Sequence, residues 1–229
     1  MKRRNLGRIK PLAVAVVGVV LGRAAQADTV LTFDAFPAGQ NHNAPILQTF
    51  GDNAAASSAG VSVIGNGTPN IGLTWSGGGS ATARWDYYID PVWSAGQLNG
   101  SSVGGFHNLL FTPDAGFGVS IKSFNFHPYY NSAETFAYSW RVLDGATELL
   151  TGSLNFGSDG TKNYPVNIDF TGAANQSLTL NILRTGGSGN GQNIAVDDIR
   201  FAQVVPEPGT LVLLSLGAVG LAVRWRRRR

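Results

Sequence analysis

The sequence contains no cysteine. That excludes a disulfide framework, a thiolate zinc site and a catalytic thiol. Charge is also scarce: Asp, Glu, Lys and Arg make up 14% of the 229 residues, against about 25% in an ordinary soluble domain. So few charges exclude a coiled coil, and the middle of the chain carries no long charge run of the kind that marks disorder. Histidine is limited to His42, His107 and His127, without the spacing of a metal-dependent hydrolase or deaminase. Before the C-terminal tail the only glutamates are Glu134 and Glu148. A glycosidase needs two carboxylates across a cleft. Asp86, Asp90 and Asp114 are the available partners, but their turn-rich settings fit capping roles better. Together these absences argue against an enzyme.

What charge there is lies segregated. Six of the 17 Lys and Arg precede residue 28, and five more are Arg224 and Arg226 to Arg229. Residues 28–207 hold six Lys and Arg against all 14 Asp and Glu, a balance of −8. An acidic body cannot displace the counterions of a phosphate backbone, so nucleic acid is excluded as a partner.

The N-terminus has the order of a secretory signal. Lys2 to Lys10 form a basic segment, Pro11 to Gly22 an apolar one, and Ala25-Gln26-Ala27 a small-residue cleavage site. Signal peptidase is expected to cut after Ala27 and leave Asp28 first. About 12 apolar residues are too few to span a bilayer comfortably. Arg3-Arg4 raises the twin-arginine route, which the following Asn5-Leu6-Gly7 fits poorly.

The C-terminus combines Pro206-Glu207-Pro208, an apolar run from Leu211 to Val223, Trp225 at the expected interface, and the cluster Arg224, Arg226, Arg227, Arg228 and Arg229. The run is short for a full span. The arginines would be retained in the cytoplasm by the positive-inside preference. The prolines leave an extended backbone ahead of the apolar segment, open to a processing enzyme. This order resembles the PEP-CTERM sorting signal of Gram-negative bacteria. The resemblance implies recognition by an exosortase, a transient stay in the inner membrane, and release or attachment at the cell surface, outer membrane or extracellular matrix. It also implies an association with exopolysaccharide. A permanent C-terminal anchor is the plainer alternative.

The body, residues 28–203, reads as one all-β domain between the signal peptide (1–27) and the sorting signal (204–229). Period-two apolar alternation runs through Phe136-Tyr138-Trp140-Val142, Val166-Ile168-Phe170 and Leu178-Leu180-Ile182. Further strands are expected over 29–34, 61–64, 71–76, 106–111, 117–127, 147–154 and 193–201. Asp144-Gly145 between two such runs is a hairpin signal. The alternation changes phase between Ile121 and Phe124, and again between Val196 and Ile199. A phase change marks a bulge or a strand that leaves one sheet for another. The fold expected is a two-sheet β-sandwich of jelly-roll type with about 8–11 strands.

Leu31-Thr32-Phe33-Asp34 at the start and Ile194 to Phe201 at the end are similar to the outer strands of carbohydrate-binding-module jelly rolls. That resemblance implies a structural Ca²⁺ between those strands, with Asp34, Asp197 and Asp198 as its carboxylates. Oxygen ligands of this kind suit a hard cation. Trp75, Trp85, Tyr88 and Trp93, with Tyr87 and Phe106 nearby, are either core aromatics or a platform on which a sugar face stacks. Alternation would turn Trp85 and Tyr87 inward and leave Asp86 and Tyr88 outside. The functional readings are a structural or interaction protein of an exopolysaccharide matrix, a glycan-binding module, and a secreted hydrolase.

Overall fold

A computed structural model describes residues 27–35, 37–79, 83–90, 93–99, 103–128, 134–157, 163–188 and 194–205. The expected signal peptide up to Gln26 and the sorting segment from Pro206 onward lie outside them.

The described residues form twelve strands: β1 (Asp28–Leu31), β2 (Val61–Ile64), β3 (Ile71–Gly78), β4 (Arg84–Asp90), β5 (Trp93–Asn99), β6 (Phe106–Pro113), β7 (Gly118–Pro128), β8 (Thr135–Asp144), β9 (Thr147–Gly157), β10 (Tyr164–Thr171), β11 (Leu178–Gly186) and β12 (Ile194–Val204). Among the described residues there is no helix, and hence none long and apolar enough to cross a membrane. One sheet has the order β10-β7-β12-β1-β2, with β5 also paired to β12 and β4 paired to β5. The other has the order β3-β6-β11-β8-β9. Every pairing is antiparallel. The result is the expected sandwich of jelly-roll type.

Alternating residues of the two sheets meet in an aromatic core. Phe111 of β6 lies 5.0 Å from Phe201 of β12. Phe126 of β7 contacts Tyr138 of β8 at 5.3 Å and Phe156 of β9 at 5.5 Å. Trp75 of β3 meets Trp85 of β4 edge-on at 5.0 Å. Rings tilted or edge-on at these separations add to the burial term itself.

β12 organises the first sheet. One edge pairs with β7 from Ile194 to Val204. The other edge is shared, with Ala195 and Val196 facing β5 and Ile199 to Ala202 facing β1. Between the two partners the register shifts at Asp198, whose φ is 50°. The neighbouring strands shift at the same level, β7 at Lys122 and β10 before Phe170, where Asp169 has φ 47°. Three adjacent bulges crease the sheet along one line, which accounts for the phase changes seen in the alternation.

β1 is shorter than the expected 29–34 because Phe33 turns out of the strand at φ 51°. A bulky residue there is strained by about 1–3 kcal/mol. The fully buried ring and two amide bonds hold the turn, with Thr32 and Phe33 N–H groups donating to Gly60 O at 2.8 and 3.1 Å. The ring lies flat over Gly96 of β5, where a Cβ would come within 2.8 Å of it.

Truncation of Phe201 to alanine is expected to cost about 3–5 kcal/mol, read from the midpoint of chemical denaturation. Lys122→Ala on the outer face should stay within about 0.5 kcal/mol of the parent.

Candidate functional site

The carboxylates expected to gather lie at the break in β12. The Asp198 N–H donates to Asp197 Oδ1 at 2.7 Å, and Asn125 Nδ2 donates to Asp198 Oδ2 at 2.8 Å. Asp197 is buried, and burial pushes its carboxyl up to about 8. The charges of Asp198 and Asp34 push in the same direction, while the Asp198 amide opposes them. His127 Nε2 stands 3.9 Å from Asp197 Oδ2, and burial holds that imidazole below its usual range. Arg200 turns away from this group and pairs through Nε with Asp28 Oδ2 at 2.7 Å. Asp34, Asp197 and Asp198 therefore share one electrostatic neighbourhood. Among the described residues no set of three or more His, Cys, Asp or Glu side chains is gathered closely enough to hold a metal ion. A cation here would have to draw Asp34 inward and add main-chain carbonyls.

Of the two readings open for the aromatic cluster, Trp75 and Trp85 take the core one. Trp75 and Trp85 are core residues, 4% and 3% exposed. Their indole N–H groups donate to Phe50 O at 3.2 Å and Asn108 O at 3.0 Å. Neither presents a face to a ligand. Tyr88 is half-buried, its ring 4.4 Å from His42. Trp93 lies in β5, and its side chain falls outside the described residues.

Asp86 is also buried, although alternation put it outside. Residues 43–46 extend the sheet along the edge of β4 away from β5: Asn43 N–H donates to Tyr87 O at 2.7 Å and Ile46 N–H to Trp85 O at 3.0 Å. Arg84 Nε donates to Asp86 Oδ1 at 2.7 Å, and Asn99 Nδ2 donates to Asp86 Oδ2. His107 is fully buried beside this pair, its Nε2 3.0 Å from Asn99 O. Burial lowers its pKa to about 4, against the opposing pull of the Asn99 and Arg84 carbonyls and the Asp86 charge. The Asp86 carboxylate is thus paired on both oxygens, while His107 Nδ1 is buried without a hydrogen-bond partner among the described residues and Arg84 reaches the surface.

Gly100-Ser101-Ser102-Val103-Gly104 has the G-x-S-x-G spacing of a nucleophile elbow. An elbow joins a strand to a helix. Here residues 100–102, the serine of the spacing included, lie outside the described residues.

One further feature escaped the sequence reading. On the outer face of the first sheet the crease opens a groove of about 380 Å³, lined by Asp28, Lys122, Ser123, Asn167, Asp169 and Arg200. These residues come from β1, β7, β10 and β12. No spacing along the chain could have joined them.

Residues 204–228 match the model of the PEP-CTERM protein-sorting motif. The match begins at the last residue of β12 and runs over the Pro-Glu-Pro triplet, the apolar segment and most of the arginine cluster. It implies export and cell-surface sorting with processing by an exosortase. No curated protein sequence matches the chain. Six chains among solved structures resemble it. One, described as "CBM4 structure and function", is 15% identical with a TM-score of 0.38, covering 57% of this chain and 86% of that one. The architecture rests on the strand pairing itself.

His107 sets a pH dependence. Its folded-state pKa lies below the usual 6.5, so the unfolded chain takes up the proton first as pH falls. Stability is fully present above about pH 6.5 and is lost progressively toward pH 4. Replacing His107 by glutamine should flatten this part of a curve of melting temperature against pH.

Proposed function

We propose that the protein is an exported, surface-sorted component of an extracellular polysaccharide matrix, with a structural or interaction role and no catalysis of its own. The observation that carries this reading is the sorting motif, which starts where β12 ends. A folded domain with so little chain between its last strand and the processing segment is presented close to the membrane, where the exosortase works. The basic tail holds the apolar segment in the inner membrane until it is cut. Release of reducing ends from a polysaccharide incubated with the protein would instead favour a hydrolase.

Intact mass of the protein recovered from envelope and medium should correspond to a chain from Asp28 to a residue between Val205 and Pro208. A surface form that retains Arg224 to Arg229 would overturn the sorting reading and favour a permanent anchor. Removing only the arginine cluster should leave the precursor incorrectly processed. The mature form should focus below neutrality, although the full chain has a pI near 9.4, because eleven of its cationic residues leave with the two ends.

The same reading includes a structural Ca²⁺ at Asp34, Asp197 and Asp198. Its support is Asp197, whose carboxyl is pushed up first by burial and then by the charges of Asp198 and Asp34, a cost that a hard cation would relieve. Melting curves with chelator and with millimolar Ca²⁺ test it. Saturation at about one hundred times the dissociation constant should stabilise by about 2.7 kcal/mol. An unchanged midpoint, with no metal in elemental analysis, removes the ion.

A further inference from the structure

The groove on the outer face of the first sheet has the chemistry of a ligand site. Asp28 forms its most buried wall, 5% exposed. One oxygen of that carboxylate, Oδ2, accepts the Arg200 guanidinium. The other, Oδ1, is buried and has no hydrogen-bond donor among the described residues. Buried polar atoms are nearly always paired, and one that is not needs an explanation. Across the groove Lys122 has no ion pair among the described residues, and Asp169 is exposed on its bulge at φ 47°. Ser123 and Asn167 add groups that both donate and accept.

This lining selects against most ligand classes. A bare cation would face Lys122 and Arg200. A phosphate or sulfate would face Asp28 and Asp169. An apolar or aromatic ligand would find no apolar wall, since all six lining side chains are polar. A sugar hydroxyl both donates and accepts, so neighbouring hydroxyls can donate to Asp28 or Asp169 while accepting from Lys122 or Arg200. The volume, about 380 Å³, suits one or two sugar rings entering edge-on.

We propose that this groove is a saccharide site which reads hydroxyl groups through hydrogen bonds alone, without a stacking ring. The proposal rests on the polysaccharide-association reading and gives it a location. The crease supplies the concavity, because the bulges of β7, β10 and β12 are aligned and bring Lys122, Asp169 and Arg200 to one groove across three strands. Cleavage after Ala27 makes Asp28 the first residue and adds an α-ammonium beside the groove. The processed form is therefore the one that binds.

The test uses processed protein purified from the cell, probed with an array of neutral, amino-sugar and uronic-acid oligosaccharides. Three variants are compared, Lys122→Ala, Asp169→Ala and Asp169→Asn, each checked for an unchanged melting temperature. Lys122 and Asp169 lie on the rim and hold no core contact, so folding is expected to survive. Binding by the parent, with a loss of about tenfold or more in both alanine variants, is the expected result; a hydrogen bond to a charged group contributes about 1.5–3 kcal/mol, and 1.4 kcal/mol is tenfold. Asp169→Asn, which keeps an acceptor, should recover part of the loss. Binding by the parent with all variants equal overturns the groove as the site and leaves the polysaccharide reading standing. No binding by the parent to any probe overturns both.

Discussion

The fold depends on what β12 can pair with. This strand is the last of the chain, yet it lies inside the first sheet, with β7 along one edge and β1 and β5 sharing the other. Two different strands can follow one another along a single edge only if the edge is interrupted. The interruption at Asp198 repeats in β7 at Lys122 and in β10 at Asp169. From that one constraint come the concave outer face, the turn of Phe33 away from β12 and the crowding of Asp197 with Asp198. The strain at Phe33 is offset by its fully buried ring over Gly96. The sheet gives up regular pairing at one level and gains curvature there.

Much of this architecture was legible in the sequence because burial on one face writes a period of two. Phe136, Tyr138 and Val142 read inward and are inward. The phase changes were legible as well, since a bulge shifts the alternation by one residue. β4 and β5 were less so. Asp86 interrupts the polar-outward logic of β4 because Arg84 and Asn99 close over its carboxylate, a contact with the neighbouring strand that local pattern cannot encode. In β5 the core contacts fall on Gly96 and Leu98, too little apolar periodicity to mark a strand.

The site divides in the same way. The sorting tail is a linear signal, contiguous in sequence, and linear signals can be read directly. The density of the aromatic cluster between Trp75 and Trp93 left a core and a stacking surface both open. Density reflects core packing here: Trp75 and Trp85 fill the space between the sheets and bond their indoles to carbonyls of neighbouring segments. The groove is the opposite case. Its six residues are spaced over more than 170 positions and are joined only by the sheet.

The antiparallel partnership of β1 and β12 has a consequence for the order of events in export. Asp28 pairs with Ala202, so the start of the domain and the start of the sorting segment leave the sandwich from the same end, on neighbouring strands. The first strand cannot complete its pairing until the last has crossed the membrane. Long-range closure of this kind is slow, because the intervening chain must be ordered first. During that delay the Ala27–Asp28 bond stays outside any finished sheet and within reach of a peptidase, which acts on locally opened chain. Once β12 docks, Asp28 is locked between β2 and β12. Completion of the sheet would thus close the interval for the proposed cut after Ala27 once the last strand, which leads into the sorting motif, has docked.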